Sequence, residues 1–254
     1  MSRGLRLEGA WLLCDCGARY PVVDGIPLIF KDFRAFLSSE APILLARQDL
    51  GELGVLFRHH AGGPLRRLQE QLQSYAASPE GELQQWLGQK LRSLPGQVLE
   101  AGCGLGLSEG SVGLDYSFGL LQQSCCARKV CADLGSPPFA AASFDAVILA
   151  NVLDSSRDPA LVLAQADALL RPGGTLLLTC AFAFSEEVTP LESWFEEEAL
   201  LAGLRGEQDF FGYLLNYTIE EQGERSWPLQ RRPRERVEFR TLCVVARKNP
   251  ASSA

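Results

Sequence analysis

The sequence predicts an α/β fold with a mostly parallel β-sheet. After residue 96 the chain carries short apolar segments of the kind found in strands buried on both faces. Segments with helical periodicity alternate with these strands, as parallel connections require. A cluster of glycines directly follows the first apolar segment. Together these features favour a sheet that is covered by helices and binds a small molecule at the carboxyl ends of its strands.

The N-terminal residues 1–32 predict a small β-hairpin unit. Apolar residues lead into a tight Cys14-Asp15-Cys16-Gly17 turn, and Asp24-Gly25 separates two further apolar runs. An Asp-Gly pair between apolar runs is a strong hairpin signal because both residues tolerate positive φ. Residues 33–95 then change to helical periodicity and predict a helical linker or cap, with apolar residues at Leu83, Trp86, Leu87 and Leu91.

The main domain is predicted over residues 96–248, with a disordered tail at 249–254. Its predicted strands are residues 98–101, 112–115, 129–132, 144–150 and 175–180. A helix is predicted over 159–170, because Pro159 suits a first helical turn and Pro172-Gly173 suits an end. The remaining chain predicts a helix near 192–202, a strand around 210–215 and a closing strand over 237–246. Asp145 is interpreted as a surface residue beside a buried strand.

Composition and charge exclude several classes of function. The chain has 254 residues, 24 Lys and Arg, and 31 Asp and Glu, giving a formal charge of −7. This balance opposes the counterion release that drives binding to polynucleotides, so a nucleic-acid partner is disfavoured. No segment has the ~20 apolar residues needed to span a bilayer, and no signal peptide is visible. We therefore expect a cytoplasmic protein whose eight cysteines are reduced thiols.

The glycine cluster is the most informative motif. It reads Val98-Leu99-Glu100-Ala101-Gly102-Cys103-Gly104-Leu105-Gly106. Glycines at the carboxyl end of a parallel strand let the backbone approach a ligand where a Cβ atom would clash. Leu107 stands where a dinucleotide fingerprint has its third glycine, which argues against a nicotinamide enzyme.

Acidic and amide residues follow the next predicted strands. Asp115 ends the second strand, where a carboxylate can accept hydrogen bonds from both ribose hydroxyls. Asp133 ends the third strand, and Asn151-Val152-Leu153-Asp154 follows the fourth. Helix capping or a loop position would also explain Asp115 and Asp133. Their order along the chain favours ligand contacts.

In this order, the segments VLEAGCGLG, VGLDYS, FAAASFDAVILANVLD and LLRPGGTLLL resemble the class I S-adenosylmethionine-dependent methyltransferases of the ubiquinone-biosynthesis type. The resemblance is close over residues 97–180 and looser to 248. It implies a Rossmann-like sheet of seven strands, mostly parallel, that closes with an antiparallel hairpin. It also implies that S-adenosylmethionine is the cofactor.

The resemblance assigns roles to individual residues. The three glycines would line the methionine and adenosyl portions of the cofactor, with Glu100 organising their loop. Asp115 would hold the ribose, Asp133 and Leu134 would meet the adenine edge, and Asn151 would lie beside the transferred methyl group. The full set of predicted cofactor contacts is Glu100, Gly102, Cys103, Gly104, Gly106, Asp115, Tyr116, Asp133, Leu134, Asn151 and Val152.

Two features depart from the family pattern. The connection between the first two strands has ten residues, 102–111, whereas a crossover with a full helix needs about ten to twelve or more. The segment LLCDCGARYPVVDGIPLIF resembles the second half of a zinc ribbon that often accompanies methyltransferases. Only Cys14 and Cys16 are present in it, while zinc needs four ligands, so no metal is predicted without ligands from another chain.

The sequence therefore predicts methyl transfer from S-adenosylmethionine to a small-molecule or protein acceptor, with Asp154 as the candidate general base. One alternative is a catalytically inactive binding or scaffold protein with the same fold, which the shortened connection favours. A second alternative is an RNA methyltransferase, which the acidity of the chain opposes. The acceptor, the methylated atom and the oligomeric state are left open.

Overall fold

A computed structural model describes residues 5–37, 81–232 and 234–250 of the chain. These residues divide into two compact units. The first contains residues 5–37 together with Cys103–Pro138, and the second contains residues 81–102 together with the described residues from 139 to 250. Residues 38–80 of the predicted helical linker lie outside the described residues.

The strands are β1 (Leu5–Glu8), β2 (Trp11–Cys14), β3 (Arg19–Val23), β4 (Ile26–Ile29), β5 (Val98–Ala101), β6 (Val112–Asp115), β7 (Arg128–Ala132), β8 (Phe144–Ala150), β9 (Leu170–Cys180), β10 (Tyr217–Arg232) and β11 (Glu235–Lys248). The labelled helices are α1 (Glu82–Ser93), α2 (Phe118–Gln123), α3 (Pro159–Leu169) and α4 (Glu197–Arg205). Two short 3₁₀ turns occupy Leu153–Ser155 and Leu191–Ser193.

In the first unit, the strand order is β1-β2-β3-β4-β7-β6. The first four strands pair antiparallel with their neighbours. β4 then pairs in parallel with β7, with Leu28 opposite Cys131 and Ile29 opposite Ala132. Since β7 also pairs in parallel with β6, the N-terminal strands extend the sheet that carries Asp115.

The predicted Asp-Gly hairpin is present between β3 and β4. Asp24 has φ of 52° and Gly25 has φ of 76°, and Val23 pairs with Ile26 across the turn. The apolar side chains of this hairpin pack with the buried face of α2 through Phe118 and Leu121. Burial of this apolar face stabilises the N-terminal strands on the unit.

In the second unit, the strand order is β5-β8-β9-β11-β10. β5, β8 and β9 are parallel, and β11 pairs antiparallel with both β9 and β10. β8 has the sequence FDAVILA, whose continuous apolar run suits a strand covered on both faces. The class I arrangement of parallel strands followed by an antiparallel hairpin is confirmed within this unit.

Local signals fix the helices of the second unit. α3 begins where the side chain of Asp158 accepts a hydrogen bond from the backbone of Leu161, with Pro159 in the first turn. α1 buries one face through Leu83, Trp86 and Leu87. The indole nitrogen of Trp86 donates to Glu221 Oε1 of β10 at 2.7 Å, which fixes the helix against the sheet.

Several predicted elements match the structure, and others are wrong. β5, β6 and β8 have the predicted bounds, and α3 ends one residue before the predicted end. The predicted strand over 210–215 is a turn closed by Phe210 and Tyr213, because Phe211 and Gly212 both have positive φ. The helix predicted near 192–202 is α4, which begins at Glu197 and ends at Arg205. The described residues contain eleven strands against the seven expected, because β1 to β4 are additional.

No helix within the described ranges is long and apolar enough to cross a membrane.

Asp145 has a structural role that corrects its interpretation as a mere surface residue. Its Oδ2 accepts a hydrogen bond from the backbone of Gln97 at 2.7 Å, and its Oδ1 forms an ion pair with Arg171. The Gln97 and Arg171 contacts hold the pKa of Asp145 below its usual value. Asp145 therefore joins the start of β5 to the start of β9 beside the strand, β8, that lies between them.

We expect Asp145→Ala to lower the free energy of unfolding by about 1 kcal/mol, because it removes a charge-assisted hydrogen bond and a partly exposed ion pair. Since folding lowers this pKa, the contribution is present above the pKa of the unfolded chain and is lost as pH falls through the folded value. Urea unfolding at neutral and acidic pH measures both effects. The exposed Glu186→Ala is the matched control, and an equal loss in both variants would contradict the role of Asp145.

Candidate functional site

The glycine loop that follows β5 is fixed by the end of β6. The backbone nitrogen of Gly104 donates to Asp115 Oδ2 at 2.8 Å, and the backbone of Ser117 donates to Asp115 Oδ1 at 2.8 Å. The backbone of Cys103 donates to Leu114 O at 3.1 Å. The loop and the strand end therefore form one hydrogen-bonded unit, and the structure brings together the predicted residues Cys103, Gly104 and Asp115.

Gly104 has an open face. Its φ is 52°, and a Cβ atom built on it would meet no atom within 4 Å. Such a backbone conformation favours glycine, and the absence of a side chain leaves room for a ligand to approach the main chain. Gly104 thus has the geometry predicted for a residue that lines a cofactor.

Gly106 has a different role from Gly104. A Cβ atom on Gly106 would lie within 3.0 Å of the side chains of Ser124, Cys125 and Cys126. A Cβ atom on Gly113 in β6 would meet the sulfurs of Cys103 and Cys126 equally closely. Gly106 therefore allows close packing of the loop on the segment that follows α2, and its Cβ side is turned toward protein atoms.

Burial raises the pKa of Asp115, and this effect outweighs the lowering by its backbone donors. Each carboxylate oxygen has two lone pairs, so each can accept a second hydrogen bond beside the one from Gly104 or Ser117. A vicinal diol is a suitable donor pair for a carboxylate that is already oriented by the backbone. The residues present fit an adenosyl cofactor, since an open glycine face adjoins a half-buried acceptor.

Tyr116 belongs to an aromatic cluster that the sequence did not indicate. Its ring lies edge-on to Phe30 at 5.3 Å and to Phe36 at 5.8 Å, and Phe30 stacks on Phe36 at 4.2 Å. Phe33 completes the cluster. The N-terminal segment therefore supports the residue that follows Asp115. Residues 30–36 carry three aromatic residues at helical spacing. This spacing is the sequence signal from which the cluster could have been predicted.

Asp133 and Leu134 follow β7 in the same unit. Asp133 Oδ1 accepts a hydrogen bond from the backbone of Gly135 at 2.8 Å, and its carbonyl accepts one from Ser136. This carboxylate is exposed and shapes its own turn. The structure records no contact between Asp133 and Asp115, so an adenine contact for Asp133 and Leu134 stays a prediction.

Asn151 of the second unit is held in a strained conformation by Thr179. Its φ is 53°, and its backbone nitrogen donates to Thr179 O and Thr179 Oγ1, both at 3.0 Å. The hydroxyl of Thr179 donates in turn to Asn151 Oδ1 at 2.9 Å. Thr179 is fully buried in β9 and was missed in the sequence. Non-glycine residues at positive φ persist where the surroundings fix them, and they cluster at functional sites.

Asp154 is buried in the 3₁₀ turn that follows Asn151 and Val152, with 6% of its surface exposed. Its Oδ2 accepts a hydrogen bond from the backbone of Ala183 at 3.0 Å. Burial raises the pKa of Asp154. The carboxyl group therefore braces the chain that leaves β9 and has a greater proton affinity than an exposed aspartate.

The chain that leaves β9 carries a second aromatic cluster. The ring of Phe184 stacks with that of Trp194 at 5.5 Å, and Phe195 contacts Phe182, Phe184 and Phe210 edge-on. Phe182 and Phe184 flank Ala183, which is the residue bonded to Asp154. The aromatic cluster is therefore linked to the candidate base through the backbone of Ala183.

Glu100 and Gly102 lie at the carboxyl end of β5. Glu100 has 1% of its surface exposed and pairs with Ile148 of β8 through the strand backbone. Gly102 has φ of 72°, which lets the chain turn away from the strand. Glu100 is buried, and its role in organising the loop stays a prediction.

Residues 96–178 match the family described as the methyltransferase domain. Fumosorinone synthetase of Cordyceps fumosorosea is 55% identical over 47 residues, which are 18% of this chain and 1% of that protein. The chain therefore spans only a small fraction of the length of this relative.

Similar solved structures include a protein described in the conversion of a disulfide bond into a thioacetal group during echinomycin biosynthesis. It is 20% identical, with a TM-score of 0.49, over 68% of this chain and 84% of that one. A methyltransferase from Methanosarcina mazei, described as S-adenosylmethionine-dependent, is 14% identical, with a TM-score of 0.46, over 63% of this chain and 97% of that one.

The family match covers the glycine loop, the end of β6 with Asp115, and the segment from β8 through Asp154. S-Adenosylmethionine is the cofactor of this family. Residues 96–178 of this chain are thus similar to a methyltransferase domain.

Proposed function

We propose that this chain binds S-adenosylmethionine and transfers its methyl group to a small-molecule or protein acceptor. The observation that carries the proposal is the hydrogen bond from Gly104 to Asp115, which places an open backbone face beside a half-buried carboxylate. The acidic composition supports an acceptor other than nucleic acid.

When bound, S-adenosylmethionine supplies a sulfonium methyl carbon that is open to in-line displacement. The residues of this chain bind and orient. Asp115 would accept hydrogen bonds from the ribose hydroxyls, while Gly104 and Ser117 hold its carboxylate in place. In the first unit, Gly104 would provide main chain without side-chain bulk for the cofactor. Alignment of this kind accounts for much of the rate of a displacement reaction.

Asp154 is proposed as the group that accepts a proton from an oxygen or nitrogen acceptor. Its raised pKa brings the carboxyl group closer to the proton affinity that a base needs near neutral pH. Thr179 holds Asn151 in a fixed orientation three residues before this base.

A second candidate is a non-catalytic protein that keeps the fold as a scaffold. It is favoured by residues 102–111, which form turns without a helix between β5 and β6. A scaffold of this kind would fold normally and would fail either to bind the cofactor or to transfer the methyl group. Binding and turnover therefore have to be measured separately.

Calorimetric titration of the purified chain with S-adenosylmethionine and S-adenosylhomocysteine should show micromolar binding. Gly104→Arg should abolish it, because the side chain would occupy the open face. Gly88→Arg on α1 is the matched control, since only the flexible Arg92 side chain lies near that glycine. Circular dichroism confirms folding of both variants. A folded wild-type chain that binds neither compound would favour the scaffold.

Asp115→Ala should weaken cofactor binding by about tenfold or more, because two hydrogen bonds to a charged acceptor are lost. The substitution also frees the backbone nitrogens of Gly104 and Ser117. Asp158→Ala, which removes a carboxylate that caps α3, is the control and should leave the dissociation constant unchanged. An unchanged constant in Asp115→Ala would refute the ribose assignment.

With an acceptor found by screening with radiolabelled S-adenosylmethionine, Asp154→Asn should lower turnover by roughly 10² to 10⁴ and leave cofactor binding intact. Asparagine can still accept from Ala183, so the brace is kept while the base is lost. The wild-type rate should rise as pH increases through the raised pKa of Asp154. The rate of the variant should not show this rise. A variant that retains the same pH profile would remove Asp154 from the proton transfer.

A further inference from the structure

We propose that Cys14 and Cys16 form a reversible dithiol–disulfide pair in the turn between β2 and β3. The two sulfur atoms lie 2.7 Å apart, which is closer than an ordinary contact between thiols and approaches the length of about 2.05 Å of a disulfide bond. This inference is independent of the methyltransferase assignment. It gives the N-terminal hairpin a redox chemistry of its own.

The turn that carries the two cysteines is fixed by its backbone. Cys14 donates to Ala18 O at 2.9 Å, and Gly17 donates to Cys14 O at 2.8 Å. Gly17 has φ of 87°, which allows the chain to reverse within the turn. The contact between the sulfurs is thus imposed by the hairpin, and bond formation requires little movement of the main chain.

The two cysteines differ in accessibility. Cys16 is exposed and Cys14 is half-buried. The sulfur of Cys14 also lies 3.4 Å from the backbone nitrogen of Cys16, which donates toward it. Donors of this kind stabilise negative charge on sulfur. Cys16 is therefore placed to react first with a reagent from solution, and Cys14 is placed to resolve the product.

This pair is more accessible to solvent than most other cysteines of the chain. Cys126, Cys131, Cys180 and Cys243 are buried. Burial raises the pKa of the Cys243 thiol to about 12 and that of Cys180 still further. Thiolates are the reactive form, so these thiols are protected from exchange. Cys125 is exposed, but its sulfur packs beside Gly106, away from the hairpin turn.

Exchange with a small disulfide such as glutathione disulfide proceeds in two balanced steps. The thiolate of Cys16, its proton released to solvent, attacks one sulfur of the reagent, forms a mixed disulfide and expels one glutathione thiolate. The thiolate of Cys14 then attacks the sulfur of Cys16 in the mixed disulfide. This step forms the Cys14–Cys16 bond and expels the second glutathione thiolate. The protein loses two electrons and two protons, and two molecules of glutathione are formed.

The test is to equilibrate the full chain in glutathione buffers of increasing oxidised fraction, quench with acid and alkylate the remaining thiols. Trypsin releases residues 7–19, a peptide whose only cysteines are Cys14 and Cys16. Mass spectrometry should show this peptide lose two hydrogens and resist alkylation as the oxidised fraction rises. Dithiothreitol should restore both alkylation sites.

Two controls make the outcome decisive. Cys14→Ser should stop at one glutathione attached to Cys16, and Cys125→Ser should oxidise as the wild type does. The folded chain should close the disulfide with an equilibrium constant at least about tenfold above that of the chain unfolded in urea, because the hairpin holds the sulfurs together.

Three results would overturn the proposal. One is a peptide that is alkylated twice in every buffer. Another is an equal equilibrium constant in the folded and unfolded chains, which would show that the hairpin contributes nothing. The third is a metal ion that co-purifies with the chain and blocks alkylation of both cysteines until a chelator is added, which would assign the pair to metal binding.

Discussion

The hydrogen bond from Gly104 to Asp115 is the constraint on which the candidate cofactor site depends. It joins the glycine loop to the end of β6 across a connection too short for a helix. Partial burial of the carboxylate is costly, and backbone donors on both oxygens offset part of that cost. Substitution of Asp115 would therefore free the loop as well as remove a ligand contact, and the two effects would appear together in any binding measurement.

Other contacts replace the missing helix. Leu105 O accepts from Cys125, and Glu109 O accepts from Ala127, so the loop is tied to the segment that follows α2. Gly106 permits this close approach because any side chain would strike three neighbouring side chains. The N-terminal segment also contributes to this unit. β4 pairs with β7 and so extends the sheet, and Phe30 and Phe36 pack against Tyr116. The unit is thus completed by elements that are distant in sequence.

The sequence was sufficient where a local pattern determines structure. β8 is a continuous apolar run, and Asp24-Gly25 is a turn of fixed geometry, so both were predicted correctly. β10 was not predicted, since its run of charged residues with Gly223 and Pro228 resembles a loop, and it is a strand because it pairs along its length with β11. Asp115 was identified as a site residue, but its bonds to Gly104 and Ser117 depend on how the loop turns. The roles of Thr179 and Asp145 likewise arise from long-range contacts and leave no local signal.

The short connection between β5 and β6 affects the candidate cofactor site mainly through the electrostatic potential of its backbone, and less through the shape of the site. In a full-length crossover, a helix would begin at the glycine loop and direct its N-terminal backbone groups toward the cofactor. Here the backbone nitrogen of Gly104 is already engaged with Asp115, so less positive potential is available to a carboxylate group. The proposed ribose contact through Asp115 does not need that helix. We therefore propose that Asp115 holds the adenosyl portion and that the methionine carboxylate is held more weakly, so that cofactor affinity falls before the geometry of methyl transfer is lost.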